Sequence, residues 1–458
     1  MIRHSICFAH HIPFGISFGR KFSSVLGDRR GAIAIVMAIA LPVVVGAAGL
    51  GVEAGKWYMI KRQAQTAADT GAFAGALELA AGTTGKARPA ALQEAARNGF
   101  PEGGDVTVAV NIPPTSGSHV GNTKAVEVIV TRTEPLLFAK LFLSTPTSIV
   151  ARAVGLVTVT GNACILALNS SANKALWVAG NANITMDDCS LASNSTNAES
   201  IVFQGSSGTV VPSVWSAGGI SSNGGATFPE STHTYAWPIQ DPYAGLSNPV
   251  LPGTCDVGNP NYQGDNLDLK NTTITLQPGL YCNGLSIGTG AIVTLQPGTY
   301  YINQGDFTVG TSSAVVTCKC EGIDPSAPAG SGVTIVLTSS TGTAAGDVKI
   351  TGGTVTLRAP SVPIATAQYP YPGVLFYKDR RTTTSSNIKL TGGPTMSLTG
   401  AMYFPHDSVE YLGNTVSNAC SLVVADTIKI SGTSKLSSSG CEALGLSPIT
   451  VKYPSLVE

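Results

Sequence analysis

A stretch of 21 residues without an ionisable side chain, from Ala32 to Val52, most constrains what this chain can fold into. An α-helix needs roughly 20 apolar residues to cross the hydrocarbon of a bilayer, and this stretch meets that length. Leu41 and Pro42 lie near its middle, and a proline is tolerated inside a membrane helix. The stretch therefore predicts a single membrane-spanning helix, and everything that follows it lies on one side of the membrane.

Charge and sulfur indicate which side that is. Five basic residues precede the span, among them Arg29 and Arg30, whereas three stand on the flank just after it. The positive-inside rule then places residues 1–30 in the cytoplasm. Of the nine cysteines, Cys7 precedes the span and eight follow it, which fits disulfides formed in an oxidising compartment. A cleaved signal peptide is the competing interpretation, but its apolar core has only about 7 to 15 residues.

The membrane helix is predicted to continue beyond the membrane surface to about Gly82, because strong helix formers dominate the sequence there. Two pairs of glycines in this helix have small-xxx-small spacing, Gly51 with Gly55 and Gly71 with Gly75. Such pairs allow the backbone of another helix to approach closely. The alternative is an alanine-rich helix that packs against its own domain.

A family resemblance rests on ordered short motifs between about residues 25 and 85. These are Asp28-Arg29-Arg30-Gly31, Leu41-Pro42, Gly51-Val52-Glu53-Ala54-Gly55-Lys56-Trp57-Tyr58 and Gln65-Thr66-Ala67-Ala68-Asp69. The segment resembles the N-terminal part of the TadE/TadG-like family of Flp pilus assembly, whose members are inner-membrane components of bacterial tight-adherence machinery. The resemblance implies a structural role and pilus-assembly proteins as partners.

One departure from related pilins concerns processing. Prepilins of such systems carry a glutamate five residues after the processing glycine, whereas Val36 stands five residues after Gly31 in this chain. The resemblance therefore implies a retained anchor rather than a polymerising pilin.

Residues 83–160 are predicted to form a small membrane-proximal α/β module after the long helix of residues 31–82. Residues 86–98 have helical spacing. Alternating valines predict two half-buried strands at 106–110 and 126–130. A short helix over 135–143 and a last strand over 148–160 complete the module, and the arrangement is similar to that of pilin-like proteins.

Residues 161–458 contain near-identical hexapeptides at fixed steps. LQPGLY at Leu276 recurs as LQPGTY at Leu295, 19 positions later, and VKITGG at Val348 recurs as IKLTGG at Ile388 and IKISG at Ile428, each 40 positions later. A period near 20 with β-branched alternation is typical of a β-solenoid, whose coils supply apolar faces to one another. We therefore predict a right-handed parallel β-helix, with a β-sandwich or jelly roll as the alternative.

The cysteines of this region are spaced by about one coil. Separations of 25, 27 and 21 residues suggest disulfides between neighbouring coils and leave one Cys-x-Cys pair over. The pairs are Cys164 with Cys189, Cys255 with Cys282, Cys420 with Cys441, and Cys318 with Cys320. No histidine stands near the Cys-x-Cys pair to complete four metal ligands, so we expect no metal and no cofactor.

Catalysis is weighed because many β-helices cleave polysaccharides. Acidic residues are present, but no nucleophile elbow, metalloprotease helix or phosphate loop accompanies them. The candidates are Asp187, Asp188, Asp265, Asp268, Asp306, Asp379 and the pair His406-Asp407. Because fold analogy is a poor warrant for activity, we expect a protein without enzymatic activity and without catalytic residues. A formal net charge of zero, with 12% charged residues, offers no basic surface for nucleic acid.

Two functional classes remain. In the first, the chain is a single-pass inner-membrane scaffold of a tight-adherence pilus system, with its C-terminal region in the periplasm. In the second, the β-helix binds or cleaves an envelope polysaccharide and the anchor tethers it. The second class would use rings on Pro/Gly-rich loops to grip sugar or instead merely cover a coil; these are Trp215, Tyr235, Trp237, Tyr243, Tyr262, Tyr369, Tyr371, Phe376 and Tyr377.

Overall fold

Two α-helices begin the described part of the protein. The computed structural model describes residues 32–458 except 228, 230, 343, 362–369, 383, 392–394, 413–414 and 448. Helix α1 (Ala32–Ala80) is continuous through Pro42, and α2 (Thr84–Arg97) follows after a short turn. The long apolar N-terminal helix is thus confirmed, and the predicted cytoplasmic segment 1–30 lies outside the described residues.

An antiparallel sheet covers the second half of α1. Its strands are β1 (Val106–Asn111), β2 (Ala125–Glu134), β3 (Thr147–Ala167) and β25 (Ile449–Leu456). Strand β1 pairs with β2, β2 with β3, and β25 with β3. The alternating valines of β1 and β2 point into a core shared with the alanines of α1, because alternate side chains of a strand face one side.

Two details of this module differ from the prediction. Residues 135–143 form a loop with one 3₁₀ turn at Ala139–Leu141 rather than a helix. Strand β3 continues to Ala167, beyond the predicted boundary at residue 160. Its continuation is paired with β25 as far as Ala163, so the two strands join the module to the rest of the chain.

The remaining strands form a β-rich body in two runs. The first run comprises β4 (Leu176–Thr185), β5 (Ser190–Ser193), β6 (Ile201–Gln204), β7 (Gly208–Val210), β8 (Val214–Ser216), β9 (Ile220–Asn223) and β10 (Thr232–His233). The second run begins with β11 (Tyr262–Leu269), β12 (Thr273–Leu276), β13 (Gly279–Ile287), β14 (Ile292–Leu295), β15 (Gly298–Asn303), β16 (Phe307–Val309) and β17 (Val315–Cys318). It ends with β18 (Val333–Thr338), β19 (Val348–Ile350), β20 (Thr354–Arg358), β21 (Val374–Lys378), β22 (Asn387–Leu390), β23 (Thr395–Leu412) and β24 (Thr415–Ser437).

Every described strand pairing within the body is parallel. One row of pairs joins β12 to β14, β17, β20 and β23 in turn. A second row joins β11, β13, β15, β18 and β21, and a third joins β16, β19 and β22. The antiparallel pairing that a β-sandwich requires is therefore not the pairing found between these strands.

The repeated hexapeptides occupy neighbouring positions in these rows. Leu276 lies opposite Leu295, and the rings of Tyr281 and Tyr300 stack at 5.7 Å between centroids. Lys349 lies directly opposite Lys389, so the 40-residue step between these two repeats is one coil and not two. The coils thus differ in length, because long connections are inserted between strands that still stack.

The order of the coils in space differs from their order along the chain. The last strand of the second run, β24, pairs with β3 at Ile165 and with β4 at Leu176, which belong to the first coil. The first run extends from that coil in one direction and the second run in the other. The segment between the runs, residues 234–261, is here called the strap, since it must connect the two ends of the stack.

Contacts of the strap trace this path. Asn194 bonds to Ile239 in both directions at 2.7 Å, and the hydroxyl of Tyr403 donates to Asp241 at 2.6 Å. Further along, Arg381 donates to the carbonyl of Pro249 at 2.7 Å. The strap therefore crosses successive coils before the chain enters β11.

Candidate functional site

Helix α1 changes its surroundings halfway along. The candidate membrane span has high mean hydropathy, and only 6% of its most apolar window is buried inside the protein. Leu41 and Val52 expose more than half of their side chains, whereas Ala64 and Ala68 are fully buried against the module. Helix α1 thus combines a length suited to a bilayer with a second half that is an ordinary core helix.

The two predicted glycine pairs fall on opposite sides of this change. A Cβ added to Gly51 or Gly55 would meet nothing within 4 Å. A Cβ on Gly71 would lie 3.0 Å from the carbonyl of Ala91 in α2, and one on Gly75 would lie 2.8 Å from the side chain of Val126. The second pair therefore packs against its own domain, as the alternative interpretation held, and the first pair faces open space.

Glu53 marks the boundary between the two halves. Its carboxylate is 2% exposed and accepts hydrogen bonds from the backbone N–H groups of Leu137 at 2.7 Å and Ala139 at 2.6 Å. One turn later, Lys56 donates to Glu134 at 2.6 Å. These bonds hold the loop after β2 against α1 immediately beyond the apolar stretch.

The far end of the chain returns to the same module. Arg152 on β3 binds Glu127 on β2 at 2.7 Å and also contacts Glu458, which accepts a 2.8 Å bond from the backbone of Ser118. Bonds from Ser118 and then Arg152 lower the pKa of Glu458 to about 2. Burial raises the pKa of Glu127, but bonds from Ser116, then Asn111, Thr115 and Arg152, bring it well below its ordinary value.

The cysteines are joined in the four pairs that the spacing suggested. Disulfides connect Cys164 to Cys189, Cys255 to Cys282, Cys318 to Cys320, and Cys420 to Cys441. The second of these fastens the end of the strap to β13. Among the described residues, Cys164, Asp188 and Cys189 bring three possible metal-ligand atoms together, but sulfur in a disulfide is not the thiolate that binds a metal.

The acidic candidates are spread over several coils and each contacts a different partner. Asp265 accepts from Asn283, Asp268 pairs with Lys270, and Asp306 pairs with Lys349. The remaining contacts are Asp187 with Lys435, Asp188 with Ser437 and Ser438, and Asp379 with Arg381. The structure does not bring these carboxylates together in one cleft, and the expectation of no enzymatic activity stays a prediction.

The pair His406-Asp407 is divided between two environments. The ring of His406 contacts the carbonyl of Arg380 at 3.0 Å, whereas Asp407 accepts from the buried Lys378 at 2.8 Å. Ser386 also bonds to Asp407 at 2.7 Å. This buried cluster was missed in the sequence, and its one signal is a lysine at the end of the apolar strand β21.

Most of the aromatic candidates are covered. Tyr235 and Trp237 are exposed on the strap, Tyr262 is partly exposed, and Tyr369 lies outside the described residues. The buried ones are Trp215, Tyr243, Tyr371, Phe376 and Tyr377. Trp237 also lines a cavity of about 260 Å³ with Ala80, Asp241 and Lys452, where the strap meets the end of α1.

These features define a protein with one long apolar N-terminal helix, a small α/β module on that helix and a β-rich body. Residues 31–81 match the family model described as putative Flp pilus-assembly TadE/G-like. The N-terminal segment of the chain is therefore of the Tad type, and the match ends where α1 ends. No curated protein and no solved structure matches the chain significantly, so the body carries no further likeness.

Proposed function

We propose that this protein is a membrane-anchored structural component of a tight-adherence pilus system. The observation that carries the proposal is the coincidence of the family match over residues 31–81 with α1. Within that match, the first half of the helix is exposed and apolar, whereas the second half is packed into a folded module. This division is what an anchor that presents a domain at a membrane surface requires.

The proposed orientation has residues 1–30 in the cytoplasm and the module and body in the periplasm, with the span in the inner membrane. Basic residues before the span support it. The four disulfides of the body support it independently, since disulfides persist in oxidising compartments. Pilus-assembly proteins are the proposed partners.

For the body we propose a right-handed parallel β-helix. The parallel rows and the stacked repeats support coils, and parallel crossover connections are right-handed in about 98% of cases. The interrupted order of coils supports a rigid body, because the strap and the disulfide at Cys282 hold its ends together. An experimental structure with left-handed coils would contradict this part of the proposal.

Deletion of the protein in the bacterium that carries it tests the functional proposal. We expect loss of assembled Flp-type pili, seen by electron microscopy, and loss of surface adherence. The unaltered chain and the exposed-site control Val210→Ser should both restore them. Normal pili and normal adherence in the deletion strain would overturn the proposal, whatever the topology of the chain.

A further inference from the structure

An apolar surface lies beside the point where α1 leaves its apolar stretch. It consists of five exposed side chains on the loop between β2 and β3, and it is here called the wedge: Leu137, Phe138, Leu141, Phe142 and Leu143. Leu141 is 78% exposed and Phe142 is 73% exposed. A contiguous exposed patch of large apolar side chains marks a site of contact with a membrane or a partner.

The wedge is held at a defined depth along α1. The buried carboxylate of Glu53 binds the backbone of Leu137 and Ala139, and the ring of Phe138 packs so closely on Gly49 that a Cβ there would overlap it. At 1.5 Å of rise per residue, Gly49 lies about 6 Å further into the apolar stretch than Glu53. Phe138 therefore lies alongside the membrane helix and not above it.

We propose that the wedge inserts into the exported leaflet of the bilayer as a second membrane contact of this protein. It is continuous with the exposed apolar face of α1 through the contact between Phe138 and Gly49. Lys140 stands exposed among the apolar residues, where its long side chain can reach the phosphate level while the rings stay in the acyl region. A lipid surface is thus the occupant that fits both the depth and the charge.

The consequence is a fixed posture. One helix alone leaves a domain free to rotate and tilt, whereas a helix and a wedge on the same side of it fix the orientation of the module relative to the membrane. The buried Glu53 transmits this constraint, because it joins the wedge to the helix by two hydrogen bonds. The inference rests on the proposed membrane anchor and adds a surface that the family match does not specify.

Collision accessibility of nitroxide labels tests the wedge in the full-length protein. Single cysteines Phe142→Cys, Val45→Cys and Val120→Cys are placed in a Cys7→Ser background, with the four disulfides intact, and reconstituted in phosphatidylethanolamine–phosphatidylglycerol vesicles. Val45 lies in the apolar stretch, and Val120 is an exposed valine of the module that serves as the matched control. Oxygen partitions into lipid, and a water-soluble nickel complex does not.

We expect the ratio of oxygen to nickel collisions at position 142 to match that at 45 and to exceed that at 120. A ratio at 142 equal to that at 120, with 45 still in lipid, overturns the wedge and leaves the anchor standing. Protection of 142 from both reagents overturns it as well, because it would indicate a protein partner. A low ratio at 45 would overturn the anchor itself.

A second variant tests the mechanical link. Glu53→Ala removes both hydrogen bonds to the loop, so the label at 142 should become more mobile and its oxygen-to-nickel ratio should fall toward that at 120. The ratio at 45 should not change. An unchanged ratio at 142 in this variant would contradict the role of Glu53 in setting the depth of the wedge.

Discussion

The two halves of α1 carry the same sequence motif in different surroundings. Gly51 and Gly55 stand in the half that faces open space, whereas Gly71 and Gly75 touch α2 and β2 at van der Waals distance or closer. Small-xxx-small spacing therefore reports where a backbone can be approached and not what approaches it. In the second half the approaching partner is the chain itself, so only the first pair remains available to another helix.

The largest expected effect is a difference between matched glycine substitutions. Gly71→Leu forces a side chain against the carbonyl of Ala91, and overpacking of this kind costs about 1–3 kcal/mol or more. Gly51→Leu meets no atoms of the protein and should leave the module unchanged. Thermal unfolding of the detergent-solubilised full-length protein, followed by near-UV circular dichroism, measures both. Equal losses in the two variants would remove the contrast between the halves.

A somewhat smaller loss is expected at the boundary between the halves. Glu53→Ala leaves the backbone N–H groups of Leu137 and Ala139 without their acceptor. The loss of such bonds costs about 1–3 kcal/mol. The matched control is Glu94→Ala, which removes an exposed ion pair with Arg97 and should cost less than about 1 kcal/mol. Protease sensitivity of the loop after β2 should rise in the first variant alone.

Acid should act on the exported half and spare the apolar half. Glu127 and Glu458 have folded-state pKa values below the ordinary 4.5, the latter at about 2. The stability that they contribute is therefore fully present above pH 4.5 and is lost as pH falls toward those lower values. The melting temperature of the module should fall over this range, and Glu458→Gln should flatten the dependence. A melting temperature that rises on acidification would contradict the assignment.

The smallest effect is expected on the exposed face of the first half. Val45→Leu adds a methylene that touches no other part of the protein, because Val45 exposes about half of its side chain. The free energy of unfolding of the module should change by less than about 0.5 kcal/mol. A larger change would show that this face is packed against protein, and the melting curve used for the glycine variants detects it.

The sequence predicts elements that depend on local pattern. The bounds of α1, the helix near residues 84–97 and the strands around Val108 and Val128 follow from hydropathy, helix propensity and alternation. The cysteine pairs also follow from spacing, because neighbouring coils bring residues about one repeat apart together.

Other features depend on contacts that leave no local signal. The pairing of Val423 with Ile165 joins residues far apart in sequence, and no repeat announces that the second run closes onto the first. Glu53 looks like the polar flank of a span, yet it is buried because a loop 84 positions later supplies two donors. The equal spacing of VKITGG and its relatives hides one long coil and two short ones.

The central claim is that residues before α1 and residues after Glu53 lie on opposite sides of a membrane. Labelling of Ser24→Cys and Val120→Cys with a membrane-impermeant maleimide, in a Cys7→Ser background and intact spheroplasts, tests it most directly. The account predicts labelling at position 120 in intact spheroplasts and at position 24 only after lysis. Labelling of both positions before lysis, or of position 24 alone, would contradict it.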